Sequence, residues 1–252
     1  MVKEIFEHKS IRKYINKEIP ESIIKNILEA AVRASNTGNM QTYSIIVTTN
    51  QKLKNELAPA HFNQAMVTEA PVILTFCADF NRFNKWCKQR KAEPGYNNFL
   101  SFLTAATDAI IAAQNACLEA ESNGLGICYL GTAIYNAAQI INVLNLPKGV
   151  IPVTAITMGY PAENPELTDR LPLEAVVHYQ TYKDYSCQDI DSLYAEKEAR
   201  NDNQKYIKEN NKETLAQVFT DVRYPKANNE LFSKLLLQIL KEQEFIPEEI
   251  LI

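Results

Sequence analysis

The residues with the clearest capacity for chemistry lie near the N-terminus, in the run His8-Lys9-Ser10-Ile11-Arg12. An arginine can hold a phosphate with two parallel hydrogen bonds, a lysine adds a point charge, and a serine hydroxyl adds a neutral donor. The pattern therefore indicates an anion site, with phosphate as the natural ligand. The alternative is a solvated basic segment, which composition taken alone favours.

Two further segments carry residues of possible function. The run Tyr129-Leu130-Gly131-Thr132 is placed at the end of a predicted strand, just before a helix. Its glycine would let the backbone approach a flat ligand closely. Arg170 lies between Pro165 and Pro172, which stiffen the loop that presents it, so it is a second candidate for an anion. A surface salt bridge is an equally good explanation of Arg170.

Motifs for catalysis by a side chain or a metal are not found. The three histidines stand at positions 8, 61 and 178, and there is no Gly-x-Gly-x-x-Gly motif. The five cysteines are odd in number, far apart and without a Cys-x-x-Cys pair: Cys77, Cys87, Cys117, Cys128 and Cys187. Such spacing argues against a disulfide framework or a zinc site and favours reduced thiols in a cytoplasmic protein.

Composition limits the classes of partner and the cellular setting that we expect for this chain. The chain has 252 residues and a formal net charge of −4, whereas a general nucleic-acid binder would present a strongly basic face. Met1 to Ser10 contains no continuous apolar run, so we expect no secretory signal there. The long apolar stretch from Tyr96 to Asn123 is interrupted by polar residues such as Asp108 and Glu119, which favours a helix buried in protein over a membrane span.

Periodicity predicts the elements that position these residues. Helices are predicted from Pro20 to about Ala34, from Tyr96 to Asn123 with Gly124 ending it, and across residues 134–143. Strands are predicted at residues 43–48, 72–77, 126–130 and 151–158, and Asn50 is predicted to cap a short helix. Because helices and strands do not alternate strictly, the pattern favours an α+β fold.

The C-terminal region differs in composition. Beyond about Tyr185 charged and amide residues dominate, and apolar spacing returns from Leu231 to Leu240. This stretch has too few large apolar residues for a core of its own. We therefore expect residues 1–252 to form a single domain, with residues 185–252 as a C-terminal arm of exposed helices.

Several segments, in one order along the chain, resemble the larger oxygen-insensitive nitroreductases and NAD(P)H-flavin oxidoreductases. His-Lys-Ser-Ile-Arg is similar to the His-Arg-Ser-Ile-Arg opening of that family. Further matching segments are residues 34–41, 77–82 (Cys-Ala-Asp-Phe-Asn-Arg), 113–126, and 159–165 continuing through Arg170-Leu171-Pro172. The resemblance covers about Glu7 to His178, and the joint order is more specific than any one segment.

The resemblance implies an α+β, nitroreductase-like fold with a mixed, mostly antiparallel central sheet flanked by helices. It implies bound FMN, no catalytic side chain or metal, and NADPH or NADH as electron donor. It also implies a homodimer whose C-terminal arm wraps the partner. Carried over residue by residue, it assigns contacts with FMN to His8, Lys9, Ser10, Arg12, Thr37, Asn39, Gln64, Tyr129, Leu130, Gly131, Thr132 and Arg170.

The implied activity is ping-pong hydride transfer from NAD(P)H to nitroarenes, quinones or flavins. Two alternatives stay open: a flavin reductase that supplies a partner protein, and a flavin-binding protein without turnover. One position departs from the family pattern, because relatives often carry lysine two residues before the last arginine, where this chain has Thr168. The segment from Phe83 to Tyr96 is a further candidate, as a roof over the pocket.

Overall fold

The computed structural model describes residues 1–247 and divides into two compact units. One unit comprises Met1–Glu166 together with the chain from Phe232 onward, and the other comprises Leu167–Leu231. The expectation of one domain with an arm from about residue 185 stays a prediction.

A four-stranded sheet lies in the first unit. Its strands are β1 (Tyr43–Thr48), β2 (Val72–Asp79), β3 (Gly126–Leu130) and β4 (Val150–Gly159), in the order β1-β2-β4-β3 with every ladder antiparallel. All residues of β2 and β4 are buried, which agrees with the continuous apolar runs in the sequence. The prediction of an α+β fold with a mostly antiparallel sheet is confirmed. Strand β2 continues two residues beyond its predicted end because Ala78 and Asp79 pair with Ile151 and Val150.

Twelve α-helices are distributed over the described residues. They are α1 (Lys3–Phe6), α2 (Glu21–Val32), α3 (Gln51–Leu57), α4 (Ala65–Glu69), α5 (Asn81–Gln89), α6 (Phe99–Ser122), α7 (Thr132–Tyr135), α8 (Ala137–Val143), α9 (Cys187–Ala199), α10 (Asn201–Glu209), α11 (Leu215–Val218) and α12 (Lys226–Glu242). A short π-helix, Phe219–Arg223, follows α11. Short 3₁₀ turns occur at Thr37–Asn39, Ala58–His61 and Leu173–Ala175. Asn50 caps α3 as expected, accepting the N–H of Leu53 at 3.0 Å. Within residues 1–247, no helix is both long and apolar enough to cross a membrane.

Helix α6 packs its alanine-rich face on the sheet and on α2. It begins after Asn98, whose side chain accepts the N–H of Ser101 at 2.9 Å, and it ends before Gly124, which has a φ of +76°. Glycine adopts that left-handed conformation without the clash that a Cβ atom would cause. The predicted helix from residue 96 to 123 is confirmed, shorter by three residues at its start and one at its end.

The helix expected across residues 134–143 is interrupted. Asn136 leaves the helical region, with φ −119° and ψ 36°, and separates α7 from α8. Its side-chain amide donates to the carbonyl of Ala60 at 2.8 Å, so a tertiary hydrogen bond holds the break in place. Periodicity along the chain carries no sign of this contact.

The N-terminal segment runs beside β3. Ser10 forms a parallel bridge with Ile127, and the N–H of Ile11 donates to the carbonyl of Ile127 at 2.8 Å. The N-terminal segment lies so close to β3 that a Cβ on Gly126 would be 2.5 Å from Cγ1 of Ile11, so position 126 requires glycine. The sheet itself is antiparallel in all its ladders, and this isolated bridge is a parallel contact beside β3.

The second unit is helical. Helix α9 begins with a capping box in which Ser186 and Asp189 bond each other's backbone and side chain. The side chain of Asn203 on α10 donates to the carbonyl of Lys197 at 2.7 Å and joins α10 to α9. Lys197 in turn pairs with Asp169 at 2.7 Å, which ties the loop before the 3₁₀ turn Leu173–Ala175 to α9.

Candidate functional site

A carboxylate holds the backbone at the C-terminal end of the N-terminal cationic segment. Oε1 of Glu163 accepts the backbone N–H of Arg12 at 2.6 Å and that of Lys13 at 3.1 Å. The N–H of Ala162 also donates to the carbonyl of Lys13 at 2.9 Å. These contacts fix the backbone while the side chain of Arg12 stays exposed to solvent. Sequence reasoning missed Glu163, although it lies in the segment after β4 that carries part of the family resemblance.

Two more residues of the predicted phosphate site have protein partners. Nζ of Lys9 donates to the side-chain oxygen of Asn164 at 2.8 Å. Nδ1 of His8 lies 2.6 Å from Oε1 of Glu121 at the end of α6. Burial raises the pKa of Glu121, while the hydrogen bond from His8 acts in the opposite direction. The segment is therefore positioned at both ends, with Arg12 left as its exposed cation.

The segment after β3 begins with a glycine that is exposed to solvent and has free space around it. Gly131 is exposed, and a Cβ added to it would meet no atom within 4 Å. Leu130 is 2% exposed and its side chain packs in the core, so only its backbone is available to a ligand. The hydroxyl of half-buried Tyr129 donates to Gln114 at 3.3 Å, and burial raises the pKa of that phenol. Because Ser10 pairs with Ile127, the cationic segment and this strand lie side by side.

Gln64 and Thr132 are brought together through a residue that sequence reasoning passed over. Nε2 of Gln64 donates to the carbonyl of His61 at 3.0 Å. Nδ1 of the His61 ring lies 2.7 Å from Oγ1 of Thr132. His61 is fully buried, and the sequence showed it only as an isolated histidine.

Thr37 and Asn39 lie in a loop that is anchored to α6. Gly38, Asn39 and Gln41 all have positive φ angles, of +57°, +55° and +52°. The side chain of Gln41 donates to Oδ1 of Asn39 at 3.0 Å, while Thr37 bonds to the buried carboxylate of Asp108. The loop is thus built from left-handed residues and held by a charge within the helix.

Arg170 belongs to the second unit. Its Nη1 atom donates to Oγ1 of Thr168 at 2.8 Å and to the carbonyl of Asp169 at 2.8 Å. The residue that stands in place of the family's lysine therefore orients the arginine. The carboxylate of Asp169 is directed to Lys197, whose hydrogen bond lowers the pKa of that carboxyl.

Comparison with known proteins identifies the family of the chain. The model of the nitroreductase family matches residues 5–160, which span the sheet and the N-terminal segment. The chain belongs to the nitroreductase family. A solved structure from Bacteroides fragilis NCTC 9343 superimposes with a TM-score of 0.95 at 52% identity, covering 96% of this chain and 99% of that one.

Two characterised relatives are similar in sequence. The NADPH-flavin oxidoreductase of Vibrio harveyi is 35% identical over 193 residues, which are 76% of this chain and 78% of that protein. The oxygen-insensitive NADPH nitroreductase of Salmonella typhimurium is 36% identical over 176 residues, 70% of this chain and 72% of that protein. The resemblance seen in the sequence is confirmed. Among residues 1–247 of this nitroreductase, no three His, Cys, Asp or Glu side chains group as metal ligands.

Proposed function

We propose that this nitroreductase is an FMN-dependent NAD(P)H oxidoreductase that reduces nitroaromatics, quinones or flavins. The observation that carries the proposal is the pairing of Ser10 with Ile127, which sets a cationic segment beside the strand that leads to the exposed Gly131. An anion site next to an open glycine surface suits a flat ring attached to a phosphate. The names of the two characterised relatives support the same chemistry.

The residues present fit FMN. Arg12, Lys9 and Ser10 supply the charged and neutral donors that a phosphate requires. Gly131 offers a surface with no side chain, and nothing in the protein would contact a Cβ there. Gln64 supplies an amide for the edge of the ring. We further propose that Arg170 contributes to the phosphate site.

A bound FMN would supply the redox chemistry, hydride transfer between NAD(P)H and the acceptor, and Arg12, Lys9, Ser10 and Gln64 would hold it. The polypeptide binds the cofactor, admits donor and acceptor in turn to one face, and excludes competing reactions. Glu163 serves this by holding the backbone of Arg12 and Lys13, so the cationic segment keeps its shape when a ligand dissociates. No side chain is assigned a covalent role.

We propose that the active form is a homodimer. Helix α6 carries large apolar side chains that are between 38% and 71% exposed in the single chain: Phe99, Leu100, Leu103, Ile110 and Ile111. Burying this surface against a second copy would remove apolar area from water. The arm from about residue 185 would wrap the partner. The unpaired thiols, of which only Cys187 is exposed among the five, suit a cytoplasmic location.

The test is the colour of the purified protein followed by its turnover. We expect a yellow protein with a flavin absorption band in the blue region of the visible spectrum. It should oxidise NADH and NADPH with menadione or nitrofurazone as acceptor. Added free FMN distinguishes a flavin reductase, which would release reduced flavin. A yellow protein that oxidises neither donor would be a flavin-binding protein without turnover, and a colourless protein that gains no flavin would contradict the proposal.

A further inference from the structure

His61 is a buried polar residue that the proposed function does not use. It ends the 3₁₀ turn Ala58–His61, and none of its surface is exposed. Burial lowers the pKa of its imidazole to about 4, so the ring is neutral at physiological pH. Nδ1 has a partner in Oγ1 of Thr132 at 2.7 Å, whereas Nε2 has none among the described residues.

The backbone after His61 follows an unusual course. Phe62 and Asn63 adopt successive left-handed conformations, with φ angles of +55° and +54°. Each such non-glycine residue costs roughly 1 kcal/mol or more, so surrounding contacts must hold the turn. The turn brings the side-chain amide of Gln64 back to the carbonyl of His61 at 3.0 Å.

A third contact fixes the same 3₁₀ turn. The side-chain amide of Asn136, at the break between α7 and α8, donates to the carbonyl of Ala60 at 2.8 Å. The turn is therefore tied at Ala60 and His61 to the segment that contains Thr132. The side chains of His61 and Thr132, which are 71 positions apart in sequence, contact each other through one polar atom each.

We propose that His61 is a positioning residue for the cofactor site, its ring orienting the hydroxyl of Thr132 and its carbonyl orienting the amide of Gln64. The inference rests on the proposed function, because Gln64 and Thr132 matter only if FMN lies against them. Because buried Nε2 has no partner among the described residues, we assign the ring proton to Nδ1, which avoids a buried, unpaired N–H group. In that tautomer Nδ1–H donates to Oγ1 of Thr132, and the proton of that hydroxyl is left to donate to the ring of the cofactor. One buried residue thereby sets two polar contacts of the flavin.

The test uses the FMN-loaded full-length protein and three variants. His61→Asn keeps an amide near the position of Nδ1, His61→Phe fills the volume without a donor, and Thr132→Val removes the hydroxyl while keeping the shape. Thr49→Val, at an exposed threonine after β1, is the matched control. Measured quantities are the dissociation constant of FMN, its midpoint potential and its visible spectrum, with thermal unfolding to verify the fold.

We expect His61→Phe and Thr132→Val each to weaken FMN by about threefold to tenfold, as loss of one neutral hydrogen bond would, and to shift the flavin spectrum and potential. The double variant should lose no more than either single variant, because both remove one interaction. His61→Asn should restore affinity and spectrum, which a merely structural role would not require.

Additive losses in the double variant would overturn the inference, as would unchanged FMN affinity and spectrum in Thr132→Val. If His61→Phe does not fold, His61→Leu, which is smaller and also lacks a ring donor, takes its place alone and in the double variant with Thr132→Val. A parent protein that never binds FMN would instead overturn the proposed function, and this inference with it.

Discussion

The carboxylate of Asp108 accepts the backbone N–H of Thr37, with Oδ1 at 3.0 Å and Oδ2 at 3.1 Å. The Thr37 hydroxyl donates to the same group at 3.1 Å, and the hydroxyl of Thr42 donates to Oδ2 at 3.0 Å. Asp108 is 2% exposed. A charge that interrupts the apolar face of α6 is thus the anchor of the loop in which Thr37 and Asn39 were predicted to contact the cofactor.

Replacing Asp108 with alanine should destabilise the fold. The variant leaves the N–H of Thr37 and the hydroxyl of Thr42 without their acceptor, so we expect a loss of roughly 2–4 kcal/mol in the free energy of unfolding. Urea denaturation of parent and variant measures it. Thr107→Ala, an exposed neighbour on the same helix, is the control. An unchanged denaturation midpoint for Asp108→Ala would show that the loop is held by other contacts.

Arg12→Ala and Arg170→Ala should each weaken FMN. A charged hydrogen bond to phosphate contributes about tenfold to 150-fold in affinity, and neither side chain is part of the core. Fluorescence titration of the apoprotein with FMN gives the dissociation constants. Lys13→Ala is the matched control, because Lys13 is exposed and its backbone, which the variant retains, makes its contact with Glu163. If both arginine variants hold flavin as firmly as the parent, the phosphate lies elsewhere.

Glu163→Ala should weaken FMN without removing a cofactor contact. The carboxylate accepts two successive N–H groups of the cationic segment, so its loss frees the backbone of Arg12 and Lys13. We expect a severalfold rise in the dissociation constant, and a smaller rise for Glu163→Gln, which keeps one acceptor oxygen. Glu166→Ala, at an exposed glutamate three residues on, should change nothing. Equal affinities in Glu163→Ala and Glu166→Ala would mean that the segment holds its shape unaided.

The features that depend only on residues close together in the sequence were predicted correctly. Strand β1 occurs at the predicted residues, and Asn50 caps α3 as the sequence indicates. Gly124 ends α6 because the left-handed conformation there suits glycine. The exposed cation Arg12 and the open Gly131 were also found from residue type and spacing, with the family resemblance to supply their roles.

Long-range contacts explain what the sequence did not reveal. Thr37 and Asp108 are 71 residues apart, and Arg12 and Glu163 are 151 residues apart. A carboxylate that accepts backbone N–H groups has the same appearance in sequence as one exposed to solvent. The break at Asn136 likewise depends on the carbonyl of Ala60, which no helical periodicity reports.

The stability of the protein should depend on His61 at acidic pH. Burial lowers the pKa of its ring from 6.5 to about 4, so between these values the unfolded chain binds a proton that the folded chain excludes. The free energy of unfolding therefore has its full value above pH 6.5. It decreases by about 3 kcal/mol as the pH falls toward 4, because protons then bind the unfolded chain in preference to the folded one. Urea denaturation of parent and His61→Asn at pH 7, 5.5 and 4 measures the difference. The parent should lose more stability than the variant, and parallel pH curves would contradict the buried neutral ring.

The choice of nicotinamide donor should depend on the cations of the second unit. Selecting NADPH over NADH requires a cation against the 2′-phosphate, preferably an arginine. The guanidinium of Arg200 already forms two hydrogen bonds with Asp202, both of 3.0 Å. Two lysines of the region are paired as well, Lys205 with Glu209 at 3.6 Å and Lys212 with Asp221 at 2.8 Å. These acidic partners dilute the local positive potential.

We therefore expect both donors to serve, with kcat/KM for NADPH and NADH differing by less than about tenfold with menadione as acceptor. Asp202→Asn removes the negative charge beside Arg200 and so raises the local positive potential, which should raise the ratio severalfold in favour of NADPH. Asp191→Asn, at an exposed aspartate on α9, is the matched control and should leave the ratio unchanged. A parent ratio near a thousand would mean that these cations bind the 2′-phosphate despite their partners. A ratio that Asp202→Asn leaves unaltered would place the 2′-phosphate away from Arg200.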